Sequence, residues 1–252
     1  MTKKDILAFV LHNKRQVAFI HLILIGVLIL VFQVKDIQKT SVQIKQGCQK
    51  VLYYGTAKPA NEINPLVINT TISASIIDII FNQLVVLDNS GKIKPDIAIS
   101  WDRIANGREY IFYLRDDVFF HDGVQCTAED IAFSFDEYCN AGLCDFLIKS
   151  EVVSPFIVKF YLKDPMEFFE YKIREYWILP KHILWKKEIK QSGFTRFPIG
   201  TGAFKFKEWL SDNDIVLEEN HKYFDGNPFI NKIIFKAYKN KTELWSAFMQ
   251  GK

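Results

Sequence analysis

The sequence is short of several things. Its 252 residues include four cysteines, five histidines and three methionines. There is no second Cys pair and no closely spaced pair of histidines, so a structural zinc site has no ligand set. No Gly-Lys-Ser/Thr ending follows any glycine-rich turn. Gly200-Thr201-Gly202 therefore fails as a phosphate loop, and it runs into a strand pattern instead. The charge is nearly balanced, 32 basic residues against 29 acidic, net +3, without the concentrated basic face that nucleic acid requires. Internal repeats and low-complexity tracts are absent. No nucleophile–base–acid set or cofactor loop rises above background, so an enzyme is the least supported class and no cofactor is expected.

Aromatic side chains are plentiful: 22 Phe, 10 Tyr and 5 Trp, 15% of the chain. That content supports a sizeable packed core and is incompatible with disorder.

The first segment departs from the rest. Residues 17–34 are apolar apart from His21 and Gln33, a run of about eighteen residues, near the lower limit for a bilayer-spanning helix. Lys3, Lys4, Lys14 and Arg15 precede it, which predicts a cytoplasmic N-terminus (1–16), an anchor (17–34), and passage of the remainder across the membrane. No Ala-x-Ala follows, so an uncleaved anchor is favoured over a cleaved signal. Residues 35–49 read as a polar linker. Cys48 lies too far from the apolar run, behind too polar a stretch, to be a lipidated cysteine. Cys139 and Cys144 enclose Asn-Ala-Gly-Leu just after an expected helix. They are the plausible disulfide pair outside the membrane, and two reduced or buried thiols are the equal alternative.

From residue 51 the pattern turns globular. Residues 51–55 read as a buried strand. Ser73 is placed to cap a helix with Ile76, Ile77, Ile80, Phe81 and Leu84 on one face. Ser90-Gly91, Asn106-Gly107 and Asp122-Gly123 mark tight turns in a run of hairpins. Thr127 and Asp130 form a capping box for a helix carrying Ile131, Phe135 and Tyr138. Residues 157–162 alternate as a strand. Pro180 opens a helix with Ile183, Leu184 and Ile189. Residues 204–209, 215–217 and 232–238 are the last strands. Thr242 starts a terminal helix whose Leu244, Trp245, Phe248 and Met249 are expected to face inward. Helices and strands mix without strict βαβ alternation, so the class is α/β, or α+β with a mixed sheet. His121-Asp122 is better explained by its turn than as an acid/base pair, and Glu129-Asp130 by a helix N-terminus. Glu167-Phe168-Phe169-Glu170-Tyr171 and Tyr176-Trp177 read as core with exposed acids between.

Four segments, in order, resemble one family. They are Asn64-Pro65 with the helix to Asn82-Gln83-Leu84; Pro95-Asp96-Ile97-Ala98-Ile99-Ser100-Trp101; Leu114-Arg115 through Phe120-His121-Asp122-Gly123 to Thr127-Ala128-Glu129-Asp130; and Gly200-Thr201-Gly202-Ala203 to Trp209, with Asn220, Tyr223 and Gly226-Asn227-Pro228 behind. Together they are similar to the extracytoplasmic solute-binding proteins of peptide, dipeptide and nickel ABC importers. Asn64 in place of Asp, Asn82-Gln83 in place of Glu-Gly, and Ala203-Phe204 in place of Pro-Tyr are mild departures.

The resemblance implies a type II periplasmic-binding-protein-like lobe (50–67 and 195–252) with an inserted subdomain (68–194), the second lobe falling outside the chain. It implies a binding protein rather than an enzyme, monomeric, with a peptide ligand and membrane permease subunits as partners. The globular part would face the periplasm from a single-pass anchor in the inner membrane. Counting from Pro65 as in peptide-binding relatives places Asn69, Thr70 and Thr71 where an extended peptide pairs with the backbone. An anchored sensor that reuses one lobe, or a truncated product without transport activity, is the alternative.

Overall fold

The computed structural model describes residues 50–60, 62–68, 70–187, 193–210 and 213–251. The apolar run 17–34, the linker 35–49, Asn69 and Ile189 lie outside them. No helix among the described residues is long and apolar enough to cross a membrane.

Two four-stranded sheets and one hairpin organise the fold. The first sheet is mixed. β1 (Val51–Thr56) pairs in parallel with β10 (Lys232–Ala237), followed by β9 (Ile215–Glu219) and β8 (Phe204–Trp209) in antiparallel order. β2 (Val85–Leu87) and β3 (Ile93–Pro95) form the hairpin. The second sheet is antiparallel, in the order β4 (Ala98–Ile104), β5 (Glu109–Leu114), β7 (Ile157–Leu162), β6 (Leu147–Ser154).

The period-two alternation of β5 and β7 drives Tyr110, Phe112, Leu114, Val158, Phe160 and Leu162 to one face. Helix α2 (Ala128–Asn140) lays Ile131, Phe135 and Tyr138 over that face, and α3 (Phe169–Ile173) adds Phe169. Ring centroids lie 4.7 Å apart for Phe135 and Phe160 and 4.8 Å for Tyr110 and Phe169. Each such side chain contributes about 1.5–3 kcal/mol through burial. Asp130 accepts from the Thr127 amide at 2.9 Å, the reach-back half of the expected capping box.

Several sequence expectations need correction. Strand β1 is an edge strand and not buried, since Leu52, Tyr53 and Tyr54 are exposed. Helix α1 (Thr71–Ile80) is capped by Thr70, whose hydroxyl accepts from the Ser73 amide at 3.1 Å. Ser73 is instead buried and donates to the Glu62 carbonyl. After Pro180, α4 (Lys181–Leu184) is a single turn, ended by Trp185 with an extended ψ of 127° and followed by Lys186 at a left-handed φ of 59°. Phe168 and Tyr171 are exposed, while Phe169 between them is buried. Helix α5 (Lys241–Met249) is capped by Asn240, not Thr242. It turns Leu244 and Ala247 inward, three residues apart, so Trp245, Phe248 and Met249 fall on the other face, each at least 64% exposed. Strand β6 was not legible beforehand, because most of its residues are exposed and show no alternation.

The two sheets meet at the Gly200-Thr201-Gly202 turn, which abuts the C-terminus of α1. A Cβ on Gly200 would sit 2.8 Å from the Ile80 carbonyl carbon and closer still to its oxygen, and one on Gly202 would sit 2.6 Å from the same carbon. That proximity lets the Gly202 amide donate to the Ile80 carbonyl at 2.8 Å. His121 grips the turn from the other side. Its Nδ1 accepts from the Gly200 amide at 3.3 Å, its Nε2 lies 3.0 Å from the Gly202 carbonyl, and its own amide donates to the Gly200 carbonyl at 2.9 Å. Asn82 completes the joint. Its Oδ1 accepts from the Thr201 hydroxyl at 3.1 Å, and its Nδ2 donates to Asp96 at 3.0 Å and to the Tyr223 hydroxyl at 3.1 Å.

Gly200→Ala and Gly202→Ala each push a methyl group into a helix carbonyl that cannot rotate away. We expect either change to lower unfolding free energy by about 2–4 kcal/mol in urea titrations, whereas Gly91→Ala, with open space around it, should cost less.

The joint also titrates. Burial lowers the His121 pKa from 6.5 to about 4, so the neutral ring is the native form and its stabilisation is lost as pH falls from 6.5 through 4. Burial raises Asp96 from 3.8 to about 6, so ionisation weakens the native state as pH rises from 3.8 through 6. The two slopes oppose each other between pH 4 and 6. Relative to wild type, Asp96→Asn should gain roughly 2–3 kcal/mol between pH 4 and pH 7. Parallel stability–pH curves for the two proteins would refute that assignment.

Candidate functional site

The segment after β1 reaches α1 through a compact turn. The buried Asn64 accepts from the Leu66 amide through Oδ1 at 3.0 Å, and its carbonyl accepts from the Val67 amide at 3.0 Å. Asn64 Nδ2 is the buried side-chain polar atom without a hydrogen-bond partner among the described residues. The turn sets Pro65, Leu66, Val67 and Ile68 along one side of a hollow of about 380 Å³, whose other side is Tyr138, Leu143, Glu175, Tyr176 and Trp177.

The aromatic side is fixed by hydrogen bonds that use up its polar atoms. The Tyr138 hydroxyl accepts from the Trp177 amide at 3.1 Å and donates to the Trp177 carbonyl at 3.2 Å. Tyr176 donates to the Leu143 carbonyl at 2.8 Å, and Trp177 Nε1 donates to Asp78 on α1 at 3.0 Å. Tyr138 and Tyr176 meet edge to face at 4.8 Å. Burial raises the pKa of both phenols, which therefore stay protonated and hydrogen-bonded across the physiological range. Burial also raises Asp78, against the opposing bond from Trp177. A rigid, largely apolar wall with one carboxylate at its rim, Glu175, suits apolar side chains and a nearby cationic group.

Of the residues expected at the ligand edge, Thr70 spends its hydroxyl on the α1 cap, Thr71 begins α1 and is exposed, and Asn69 lies outside the described residues. Thr70 and Thr71 are not among the residues that line the hollow, and Pro65, Leu66, Val67 and Ile68 are. Tyr138, Tyr176 and Trp177 were legible as buried but not as a wall, because their meeting depends on contacts between distant segments. Cys139 and Cys144 are free thiols, the first partly covered and the second buried. A larger hollow of about 690 Å³ lies beyond the ends of β1 and β10, lined by Asp214, Lys236, Lys239 and Glu243 among others. Its mixed charges lack a comparable apolar wall. Asp122 serves its turn, accepting from the Val124 amide and meeting His182 Nε2 at 2.7 Å. Among the described residues no group of His, Cys, Asp or Glu is placed to hold a metal ion.

A hollow of this size with an apolar wall has room for a small ligand or a side chain, and comparison with known proteins gives the family. The profile of the bacterial extracellular solute-binding proteins, family 5, matches residues 92–252. The chain belongs to that family, whose members are binding proteins of transport rather than enzymes. It is 30% identical over 212 residues to the oligopeptide-binding protein AppA of Bacillus subtilis, an alignment spanning 79% of this chain and 39% of AppA. The structure of AppA with a nonapeptide superposes with a TM-score of 0.76 at 28% identity, over 81% of this chain and 43% of that one. NikZ of Campylobacter jejuni with Ni(L-His) gives a TM-score of 0.72 at 27% identity, over 81% and 42%. The HTH-type transcriptional regulator SgrR of Yersinia pestis is 24% identical over 199 residues, 78% of this chain and 32% of the regulator. The chain thus spans about two fifths of the length of the first two relatives.

Tyr138→Phe removes one hydroxyl and strands the buried Trp177 amide. We expect a loss of about 1–3 kcal/mol in denaturant unfolding and a shifted Trp emission, whereas Tyr171→Phe, exposed on α3, should change neither.

Proposed function

We propose that this chain supplies the first lobe of a membrane-tethered, extracytoplasmic receptor that captures oligopeptides for an ABC importer. The carrying observation is the aromatic hollow beside residues 65–68, in a fold similar to AppA, whose structure holds a nonapeptide. An extended peptide would lie along residues 65–71, pairing backbone to backbone near Asn69, Thr70 and Thr71, and set an apolar side chain against Tyr176 and Trp177. Backbone pairing tolerates many sequences, which suits a scavenger of mixed peptides. The stretch 17–34 would anchor the receptor in the inner membrane and raise its effective concentration at the permease. Residues 50–67 and 195–252 would form the lobe proper, and 68–194 the inserted subdomain. The exposed Trp245, Phe248 and Met249 would be covered by a second lobe that closes over the ligand, and the closed monomer would dock on the permease.

A second reading has its own support in the likeness to SgrR, a transcriptional regulator: the lobe would sense a solute without delivering it. Uptake of a labelled nonapeptide by cells with and without the gene separates the two readings. Lost uptake supports transport, and intact uptake with altered transcription supports sensing.

Alone, residues 1–252 would cover a ligand from one side only, so their affinity for apolar nonapeptides should be weak, with Kd of about 100 μM or above. Titration followed by Trp fluorescence should saturate, and Leu143→Glu should weaken it by about tenfold. Equal affinity in wild type and Leu143→Glu would remove the hollow from the ligand path.

A further inference from the structure

We infer that Cys139 and Cys144 are a disulfide-forming pair, and that closing the bond pins the turn carrying Leu143 into the wall of the ligand hollow. The role of the wall rests on the peptide-binding reading above, while the bond itself does not.

Helix α2 ends in a hydrogen-bonded reversal. The Gly142 amide donates to the Cys139 carbonyl at 3.0 Å, the Leu143 amide to the Tyr138 carbonyl at 2.9 Å, and Gly142 takes a φ of 75° that favours glycine. This is a Schellman turn, and it folds the chain back so that Cys144 returns to the last turn of the helix beside Cys139. Cys144 is 5% exposed, while Cys139 is only partly covered and open to an oxidant. Asn140, Ala141, Gly142 and Leu143 are all exposed. Apart from the helix-end bonds, the turn is held by the Tyr176 hydroxyl on the Leu143 carbonyl. A covalent tie between its two ends would hold Leu143 against Tyr138 and Tyr176. Cys126, fully buried on another segment, is the internal control.

The oxidant is a disulfide, either glutathione disulfide or the active-site disulfide of an extracytoplasmic thiol oxidase. The Cys139 thiolate attacks one of its sulfurs, forming a mixed disulfide and expelling one thiol. The Cys144 thiolate then attacks Cys139 Sγ and expels the second. The two cysteines lose two electrons, the oxidant gains them, and its two sulfurs end as thiols carrying the two hydrogens. Burial pushes the Cys144 thiol up to about 12 and raises Cys139 as well. Closure is therefore slow without a catalyst. The closed bond also resists attack by other thiols, since its sulfurs are poor leaving groups. That profile fits a permanent brace rather than a redox switch.

The test uses the purified full chain, incubated in a glutathione buffer poised at an extracytoplasmic potential, alkylated, and digested with chymotrypsin. Cleavage after Tyr138, Leu143 and Phe146 should leave Cys-Asn-Ala-Gly-Leu joined to Cys-Asp-Phe. Oxidation should raise Tm by about 5 °C and slow amide exchange at Gly142 and Leu143 by about tenfold. Both effects should vanish in C139S and in C144S. Alkyl label on both cysteines after oxidation, or Cys144 linked to Cys48 or Cys126, overturns the pairing. A bridge that forms without slowing exchange at Leu143 overturns the pinning. A bridge that forms in the buffer while the chain from cells stays reduced upholds the pairing and counts against the extracytoplasmic placement alone.

Discussion

The fold depends on one close approach, the backbone of Gly200 and Gly202 lying against the last carbonyls of α1. No side chain fits between them, so the Gly202 amide reaches Ile80 directly. From that contact the rest follows. It fixes where β8 begins, and hence the register of the mixed sheet. It also brings His121, from the antiparallel-sheet region, onto the same turn. Asn82, immediately after α1, then bonds the turn, Asp96 and Tyr223 at once. The two sheets are thus joined through polar groups that are nearly all satisfied, and not only through shared apolar area.

How much of this was readable beforehand differs by kind of feature. Glycine turns and alternation were legible, since they report local backbone demands: the Ser90-Gly91 hairpin, β5, β7 and β8 fall where the pattern places them. Caps were harder. Thr70 and Ser73 both suit an N-cap, and only the tertiary bond from Ser73 to Glu62 decides between them. The inward face of α5 was misjudged because Trp245, Phe248 and Met249 are apolar, and apolarity does not say which surface meets a neighbour. Asn82 looked like a mild departure from a family pattern, yet it is the hub of the joint, a role that depends on partners up to 141 residues away.

The candidate site shows the same division. Counting from Pro65 picks out Asn69, Thr70 and Thr71, and the hollow is lined by the neighbouring Pro65 to Ile68. The opposite wall was invisible in the pattern, since Tyr138, Tyr176 and Trp177 are buried and satisfy one another's polar atoms. Such a wall is rigid before any ligand arrives, so little ordering is needed on binding.

The pairing of β1 with β10 has a consequence for biogenesis. Val51 lies opposite Lys232 in the register, and the Lys50 amide bonds Asn231, 181 residues away. The first described strand therefore waits for its neighbour, and the mixed sheet cannot close until the ribosome has released residues up to 237. The antiparallel sheet pairs over much shorter separations and can assemble sooner. A polypeptide wired this way keeps β1 unpaired, its backbone donors and acceptors open to any other partner, until β10 has been made.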